Sequence, residues 1–278
     1  MNVLQLTMLV GAGSVLAGLV GALTGLGGGV MIVPLLTLAF DVDIHYAIGA
    51  SLVSVIATSS GAAAAFVRDG FTNVRIGMFL EIATTTGSLV GAVLAGLCPA
   101  SLIAILFGAV LLYSAMVSTA EPRRTGADDL PDALAGRLRM DGRYPTPAGW
   151  RAYRVHRVPL GFGLAWVAGI LAGLLGIGAG ALKVVAMDQV MRIPFKVSTA
   201  TSNFMIGVTA AAGAGVYLSQ GYIDPGLAMP VMLGVTAGSW IGARLLAVID
   251  TRLLRLVFSV LVSILAMEMI TSGVFGGA

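Results

Sequence analysis

The chain carries very little charge for its length. Only 10% of its 278 residues are charged, whereas 58% are hydrophobic, and the mean hydropathy is +0.97. Because a soluble domain usually has about 25% charged residues, this composition excludes an ordinary soluble globular protein. Lipid is therefore the expected solvent for most of the chain, and the net charge of +3 does not indicate a nucleic-acid-binding protein.

Residues that build metal, redox and catalytic centres are also scarce. Cys98 is the only cysteine, which excludes an internal disulfide, a CxxC redox pair and a cysteine-based zinc site. The two histidines, His45 and His156, lie far apart in sequence and form no metal-ligand spacing. We therefore predict no enzyme activity, no metal and no cofactor. The N-terminus has no basic region of the kind that precedes a cleavable signal, so the first apolar segment is interpreted as mature structure.

Long apolar segments make up most of the chain. A helix needs about 20 apolar residues to span a bilayer, and runs near or above that length fall at 5–39, 46–67, 76–97, 100–119, 159–190, 197–219, 226–249 and 253–275. Segment 121–158 differs because it holds eight of the sixteen basic residues. We predict a first transmembrane repeat at 1–120, a cytoplasmic Arg-rich loop at 121–158, containing a hairpin or a short interfacial helix, and a second transmembrane repeat at 159–278.

The two halves resemble each other after a gap-free shift of 151 positions, as from Gly29 to Gly180. Gly25 and Gly27 then match Gly176 and Gly178, and Ser51 matches Ser202. Identities at about one position in five, with matching glycines and no gap, indicate an internal duplication.

Charges in equivalent loops have opposite character. Asp41 and Asp43 follow the first apolar element, whereas Arg192 and Lys196 follow its counterpart. Because basic residues concentrate in cytoplasmic loops, the halves are predicted to cross the membrane in opposite directions. Four full crossings in each half would leave them parallel, so one element per half must not cross.

The overlong segments 5–39 and 159–190 are the natural candidates for that element. Each holds a glycine cluster, in GALTGLGGGVMIVPLL and in GLLGIGAGALKVVAM, and is interpreted as two half-helices that meet at the glycines and enter and leave on one face. The predicted fold is thus an all-α polytopic membrane protein of two inverted repeats, each with one Gly-broken discontinuous helix and three spanning helices.

The glycine clusters also suggest a binding site. Glycine in a helix interior costs about 1 kcal/mol relative to alanine, and broken backbone at membrane depth is tolerated where it is buried in protein or lines a cavity. Inverted repeats with broken helices are typical of secondary transporters. The N–H groups at the start of the second half-helix favour an anion. The alternative is that the glycines only permit close helix packing.

A family resemblance points the same way. GLGGGVMIVPLL followed by AIGASL, an equivalent second half and a polar central loop resemble the TauE/SafE family of sulfite and organosulfonate exporters. The resemblance covers nearly the whole chain outside 121–158. It implies a carrier of small sulfur-containing anions such as sulfite, sulfonates, sulfoacetate and thiosulfate, with uptake by some members. The second half departs from the pattern, since the residues that correspond to Gly28, Ile32 and Pro34 are Ala179, Lys183 and Val185.

Two of the charged residues within the apolar segments bear on the site. Lys183, within one turn of the second glycine cluster, is interpreted as an electrostatic partner of the anion; the alternatives are a lysine that snorkels to the cytoplasmic face or one that pairs with Asp188. Glu81 is a proton-coupling candidate, and the alternative is an ion pair with Arg75 or Arg68 near the cytoplasmic interface.

The predicted substrate-binding residues combine the glycine breaks with Lys183 and neutral donors. They are Thr24, Gly25, Gly27, Gly28, Gly29, Ser51, Gly176, Gly178, Gly180, Lys183, Ser202 and Asn203. For the two serines the alternative is a hydrogen bond back to their own helix.

Together these features predict a secondary transporter in the cell inner membrane that exports a small sulfur-containing anion by alternating access, with the substrate held between the broken helices. Its partners are the anion and the lipid bilayer, and proton coupling and a homodimer are further expectations. The alternatives are a passive anion channel, a transporter that takes up a different anion, and, from another class, a membrane enzyme or redox subunit.

Overall fold

The computed structural model describes residues 3–24, 28–119, 132–146, 149–178, 180–245 and 251–275. Nearly all of this backbone is helical, as the sequence predicts, and the exception is one antiparallel hairpin. The elements are α1 Val3–Thr24, α2 Gly29–Pro34, α3 Ile44–Arg68, α4 Val74–Ala95, α5 Ala100–Thr119, α6 Ala133–Arg137, β1 Gly142–Thr146, β2 Gly149–Tyr153, α7 Val158–Leu175, α8 Gly180–Val185, α9 Phe195–Ser219, α10 Pro225–Leu245 and α11 Thr251–Phe275. Two π-helical turns, Leu35–Ala39 and Ala186–Val190, extend α2 and α8.

The helix bounds of the two halves coincide around the glycine breaks after the shift of 151 positions that relates Gly29 to Gly180. The bounds of α2, of its π-helical turn and of α3 fall on those of α8, its π-helical turn and α9 without an offset. Packing is reciprocal as well, because α1 lies along α10 and α7 lies along α4. The duplication in the sequence is therefore also present in the backbone.

The chain leaves the helix at the second glycine cluster. Helix α7 ends at Leu175, Gly176 and Gly178 have positive φ angles of 66° and 65°, and α8 begins at Gly180. In the first half α1 ends at Thr24 and α2 begins at Gly29. The predicted Gly25 and Gly27 lie outside the described residues.

The two pieces of each broken element are unequal, so the prediction of two half-helices is corrected. Helix α1 has 22 residues, which is about 33 Å, whereas α2 and its π-helical turn together are about 16 Å long. The long piece packs along the whole of α10, and the short piece ends before Asp41, which has a positive φ of 53°. Each broken element is thus a long helix followed by a short one.

Each broken element starts and ends at the same end of the bundle. In the second half the His156 N–H, just before α7, donates to the carbonyl oxygen of Met191, just after the π-helical turn, at 3.1 Å. In the first half Thr7 of α1 and Val42, after the π-helical turn, line one cavity of about 430 Å³ with the start of α10.

The bundle is apolar both inside and on its described outer faces. The broken elements and α3 form the core, where Ile32, Leu36 and Leu52 have no exposed surface. Large apolar side chains are nevertheless exposed on the outer helices, among them Met78, Leu97, Met116, Leu160 and Trp240. In the part of the chain that the structure describes, α4 and α7 are each long and apolar enough to cross a membrane.

The Arg-rich loop contains both α6 and the β1–β2 hairpin. Asn73, which caps α4, anchors the hairpin: its Nδ2 donates to the Met140 carbonyl at 2.8 Å and to the Tyr153 hydroxyl at 2.7 Å. The Asn73 backbone N–H also donates to Oγ1 of Thr201 on α9, at 3.0 Å. One asparagine therefore joins the hairpin to helices from both halves of the chain.

Candidate functional site

The two glycine breaks meet at the centre of the bundle. Ser51 of α3 donates its hydroxyl to the Gly176 carbonyl at 2.7 Å, and its oxygen lies 3.3 Å from the Gly29 carbonyl. A β-carbon at Gly29 would lie 2.6 Å from the Ser51 hydroxyl oxygen, which is too close for any side chain. Gly29 is thus required by space, and Ser51 links the two breaks directly.

Ser202 repeats half of this arrangement in the second half. Its hydroxyl donates to the Gly180 carbonyl at 3.1 Å, which corresponds, after the internal shift, to the contact of Ser51 with Gly29. Neither serine bonds back to its own helix, so that alternative is wrong for both. In this conformation the two hydroxyl groups stabilise the broken backbone.

Removing these hydroxyl groups is expected to have unequal effects. Ser51→Ala removes the hydroxyl that joins the two breaks and leaves the buried Gly176 carbonyl without this donor, whereas Ser202→Ala removes one longer contact within a single half. A buried group left unpaired costs about 1–3 kcal/mol. The thermal midpoint in detergent should therefore fall further for Ser51→Ala. The control is Ser60→Ala, an exposed serine that bonds within its own helix. Equal midpoints for the Ser51 and Ser202 variants would contradict the bridging role.

The glycines at the breaks are required for different physical reasons. Gly176 and Gly178 have the left-handed conformation that favours glycine, and a β-carbon would lie 2.5 Å from Ile48 at the first and 2.8 Å from Ile206 at the second. At Gly28 a β-carbon would lie 2.6 Å from the Val235 side chain, so close packing explains this glycine. The Thr24 side chain lies outside the described part of the chain.

Lys183 is enclosed in the protein at the start of α8. Its side chain is only 1% exposed, and its Nζ donates to Oγ1 of Thr209 on α9 at 2.5 Å. It does not snorkel to a surface, so that alternative is wrong. An ammonium group at membrane depth costs about 2.5–3.5 kcal/mol on insertion scales, so its neighbours must stabilise its charge.

Glu81 of α4 lies on the other side of the same threonine. Its Oε1 accepts hydrogen bonds from Thr209 at 2.7 Å and from Thr85 at 2.9 Å. The residue is 9% exposed, and its Oε2 is buried without a donor among the described residues. Thr84 is also close, with its hydroxyl oxygen 3.2 Å from that of Thr209. We call Lys183, Thr209, Glu81, Thr84 and Thr85 the central polar cluster.

The expected ion pair of Glu81 with Arg75 or Arg68 does not form. Arg75 Nη1 donates to the Arg139 carbonyl at 2.9 Å, and Arg68 Nε lies 3.6 Å from the Asp69 carboxylate. Both arginines are exposed, whereas Glu81 points into the bundle towards α9. The sequence could not show this, because counting residues along α4 does not reveal which face of the helix is buried.

Sequence reasoning missed Thr209, the residue at the centre of the cluster. A signal was present, since Thr209 and Thr58 are identical residues at equivalent positions of the two halves. Both hydroxyls lie 3.1 Å from the carbonyl four residues earlier in their own helix, that of Ser54 for Thr58 and that of Met205 for Thr209. Only the packing of α4, α8 and α9 makes Thr209 the link between a lysine and a glutamate.

The symmetry-related positions carry no charge. The positions equivalent to Lys183 and Glu81 hold Ile32 and Met232, and Ile32 is fully buried. The cluster therefore combines Lys183 from the second half with Glu81 from the first.

Asn203, the remaining predicted donor, is 7% exposed and donates from Nδ2 to the Thr199 carbonyl of its own helix at 3.0 Å. Its hydrogen bond runs along α9, away from the central polar cluster. We keep it as a candidate beside the cluster.

Comparison with known proteins gives a consistent result. A family model described as "Sulfite exporter TauE/SafE" matches residues 10–269. The chain is 28% identical to "Probable membrane transporter protein YunE" of Bacillus subtilis, over 94% of this chain and 96% of the relative. It is 26% identical to "Probable membrane transporter protein YdhB" of the same organism, over 82% and 86%. No solved structure matches the chain.

Proposed function

Because the chain belongs to the TauE/SafE family of membrane transporters, we propose that it is a secondary transporter for a small sulfur-containing anion such as sulfite or an organosulfonate, and that it acts as an exporter. The observation that carries this proposal is Lys183, a buried ammonium group three residues after the second glycine break. A buried cation at membrane depth marks a substrate or ion pathway.

The chemistry around Lys183 suits such an anion. A sulfite or sulfonate group has several oxygen acceptors, and the Lys183 ammonium group has N–H donors beyond the one that it gives to Thr209, whereas the Thr85 and Thr209 hydroxyls donate to Glu81 in this conformation. The predicted donors at the breaks, with Ser202 and Asn203, lie on or beside the same helices. We place the substrate between the broken helices, next to the central polar cluster.

Alternating access between inverted halves is part of the proposal. It is supported by the way each broken element starts and ends at one end of the bundle. The end that carries the Arg-rich hairpin is assigned to the cytoplasm by the positive-inside rule, which places the chain in the cell inner membrane. The homodimer stays a prediction from the sequence.

A carrier is favoured over a channel by the packing at the breaks. Gly176 and Gly178 lie against the buried side chains of Ile48, Val55 and Ile206. These apolar contacts close the middle of the bundle in this conformation, so passage of an ion requires the packing to change. A conformational change for each transported ion is the behaviour of a carrier.

Flux into proteoliposomes tests the proposal. Sulfite, sulfoacetate, taurine, thiosulfate, sulfate and chloride are applied with and without a pH gradient. We expect saturable transport of at least one sulfur oxyanion, and counterflow when that anion is present on both sides. Large unitary currents would indicate a channel instead. Folded protein that transports none of the anions would contradict the proposed substrate class.

A further inference from the structure

We propose that the central polar cluster binds one monovalent anion and one proton together, so that transport is electroneutral. This inference rests on the proposed function and adds the coupling ion, the sign of the coupling and the charge of the preferred substrate.

The central polar cluster already holds two opposite charges before an anion binds. The Thr209 hydroxyl has one hydrogen, and it lies between an ammonium group at 2.5 Å and a carboxylate oxygen at 2.7 Å. It accepts from Lys183 and donates to Glu81, so the two opposite charges share one hydroxyl group. Without a bound anion the central polar cluster therefore contains one positive and one negative charge and is neutral as a whole.

Binding of an anion changes the net charge of the central polar cluster. An anion that binds the Lys183 ammonium group adds one negative charge to a buried site. The Glu81 carboxylate then shares Lys183, its linked cation among the described residues, with the anion, and the site has a net negative charge in a low-dielectric surrounding. Protonation of Glu81 removes that charge. The loaded site, which consists of an ammonium group, an anion and a neutral carboxylic acid, is again neutral.

Glu81 has an atom suited to that proton. Its Oε2 is buried and contacts no donor among the described residues, whereas Oε1 accepts two hydrogen bonds. A carboxylate oxygen that accepts no hydrogen bond gains no such stabilisation of its charge. When Oε2 carries a proton, it becomes a donor that can bond to the anion. The balance is one anion and one proton taken up, with no covalent bond to carbon or sulfur formed or broken.

Other ionisable groups near α4 do not replace this pair. Helix α7 has no ionisable side chain. Helix α9 has Lys196 in its first turn and Tyr217 in its last, far along the helix from its middle. The π-helical turn after α8 has Asp188, which is half-buried. Among the described residues, Lys183 is the cation that is linked to Glu81 through a shared hydroxyl.

The internal duplication fixes the expected stoichiometry. The symmetry-related positions hold Ile32, in the first half, and Met232, in the second, where the cluster holds Lys183 and Glu81, so they supply no second charge pair. One cluster per chain gives one proton for each anion. A divalent anion would leave the loaded site with a net charge, so we expect monovalent sulfonates to be preferred over sulfate.

Electroneutral transport has a clear signature. The flux should follow the pH gradient and should not follow the membrane potential. When the inside is more alkaline than the outside, the coupling favours uptake. Export therefore requires the outward anion gradient to exceed the opposing pH gradient.

The test uses the wild-type chain in proteoliposomes, with methanesulfonate as the monovalent probe and sulfate as the divalent one. Potassium and valinomycin set the membrane potential, and an internal dye reports protons. We expect one proton per methanesulfonate and a flux that the potential changes by less than about twofold. Methanesulfonate flux that follows the potential without proton movement would overturn the coupling and leave the proposed function intact. If none of the sulfur oxyanions is transported, the proposed function itself fails.

Variants separate coupling from folding. Glu81→Gln imitates the protonated side chain, so net proton-coupled flux should fall by about tenfold or more, and the remaining methanesulfonate exchange should lose its pH dependence. Thr209→Val removes the shared hydroxyl at nearly constant shape and should lower the proton-to-anion ratio, whereas Thr209→Ser should restore it. An unchanged ratio in both Glu81→Gln and Thr209→Val would overturn the proposal.

Discussion

Lys183→Ile is expected to weaken anion binding strongly and to abolish transport while the protein still folds. The equivalent residue of the first half is Ile32, which is fully buried on the matching helix, so the backbone accommodates this shape. Loss of the ammonium group removes a buried charged partner of the anion, which costs about 2–5 kcal/mol. We expect affinity to fall by about 100-fold or more in a binding titration, with transport lost in parallel.

Two further variants make this result interpretable. Lys196→Ala removes the same charge from an exposed position and should leave affinity unchanged. Lys183→Ile alone leaves Glu81 as an uncompensated buried charge, which can destabilise by about 3–5 kcal/mol. Adding Glu81→Met reproduces the uncharged pair Ile32 and Met232, which lie at the symmetry-related positions, one in each half, and should recover thermal stability without recovering transport. Unchanged affinity in Lys183→Ile would remove Lys183 from the site.

Gly176→Ala is expected to cause the largest loss of stability among single changes at the breaks. The positive φ angle of 66° costs an L-residue about 1–2 kcal/mol. A β-carbon would also lie 2.5 Å from the buried Ile48, and overpacking adds about 1–3 kcal/mol. Together these terms predict a loss of about 2–5 kcal/mol, visible as a lower thermal midpoint and a lower yield of monodisperse protein.

Gly163, in helix α7, which ends just before Gly176, provides the matched control. Gly163 has open space around it and an ordinary helical conformation, so Gly163→Ala should keep or raise the midpoint by removing a helix-breaking residue. A Gly176→Ala protein that is as stable as wild type would show that the break does not need glycine. The site model would then lose the support that it draws from this conformation.

The sequence predicts the features that depend on residue type and spacing. Glycines at Gly176 and Gly178 mark a broken helix because few other residues adopt the positive φ that they have. The shift of 151 positions predicts equivalent elements, and the helix bounds follow it. Lys183 is notable because a lysine in an apolar segment is costly to bury and therefore indicates a function or a partner.

What the sequence did not predict depends on the relative positions of distant helices. Glu81 and Thr209 are 128 residues apart, and nothing local shows which face of α4 meets α9. The unequal pieces of the broken elements follow from packing along α10 and α4. The hairpin strands are five residues each, too short for their pattern to distinguish them from other loop structures.

The matching helix bounds of the two halves also bear on the energies of the transport states. If the halves are inverted, the state open to one side becomes the state open to the other when each half adopts the conformation that the other half had. The two halves have backbones of matching design. The backbone contribution to the free energy of the two states is then nearly the same. The resting preference for one side must come from residues that the duplication does not repeat, above all Lys183 and Glu81. In the proposed mechanism substrate and proton act on those residues, so a small change in charge there is expected to shift the population between the two states.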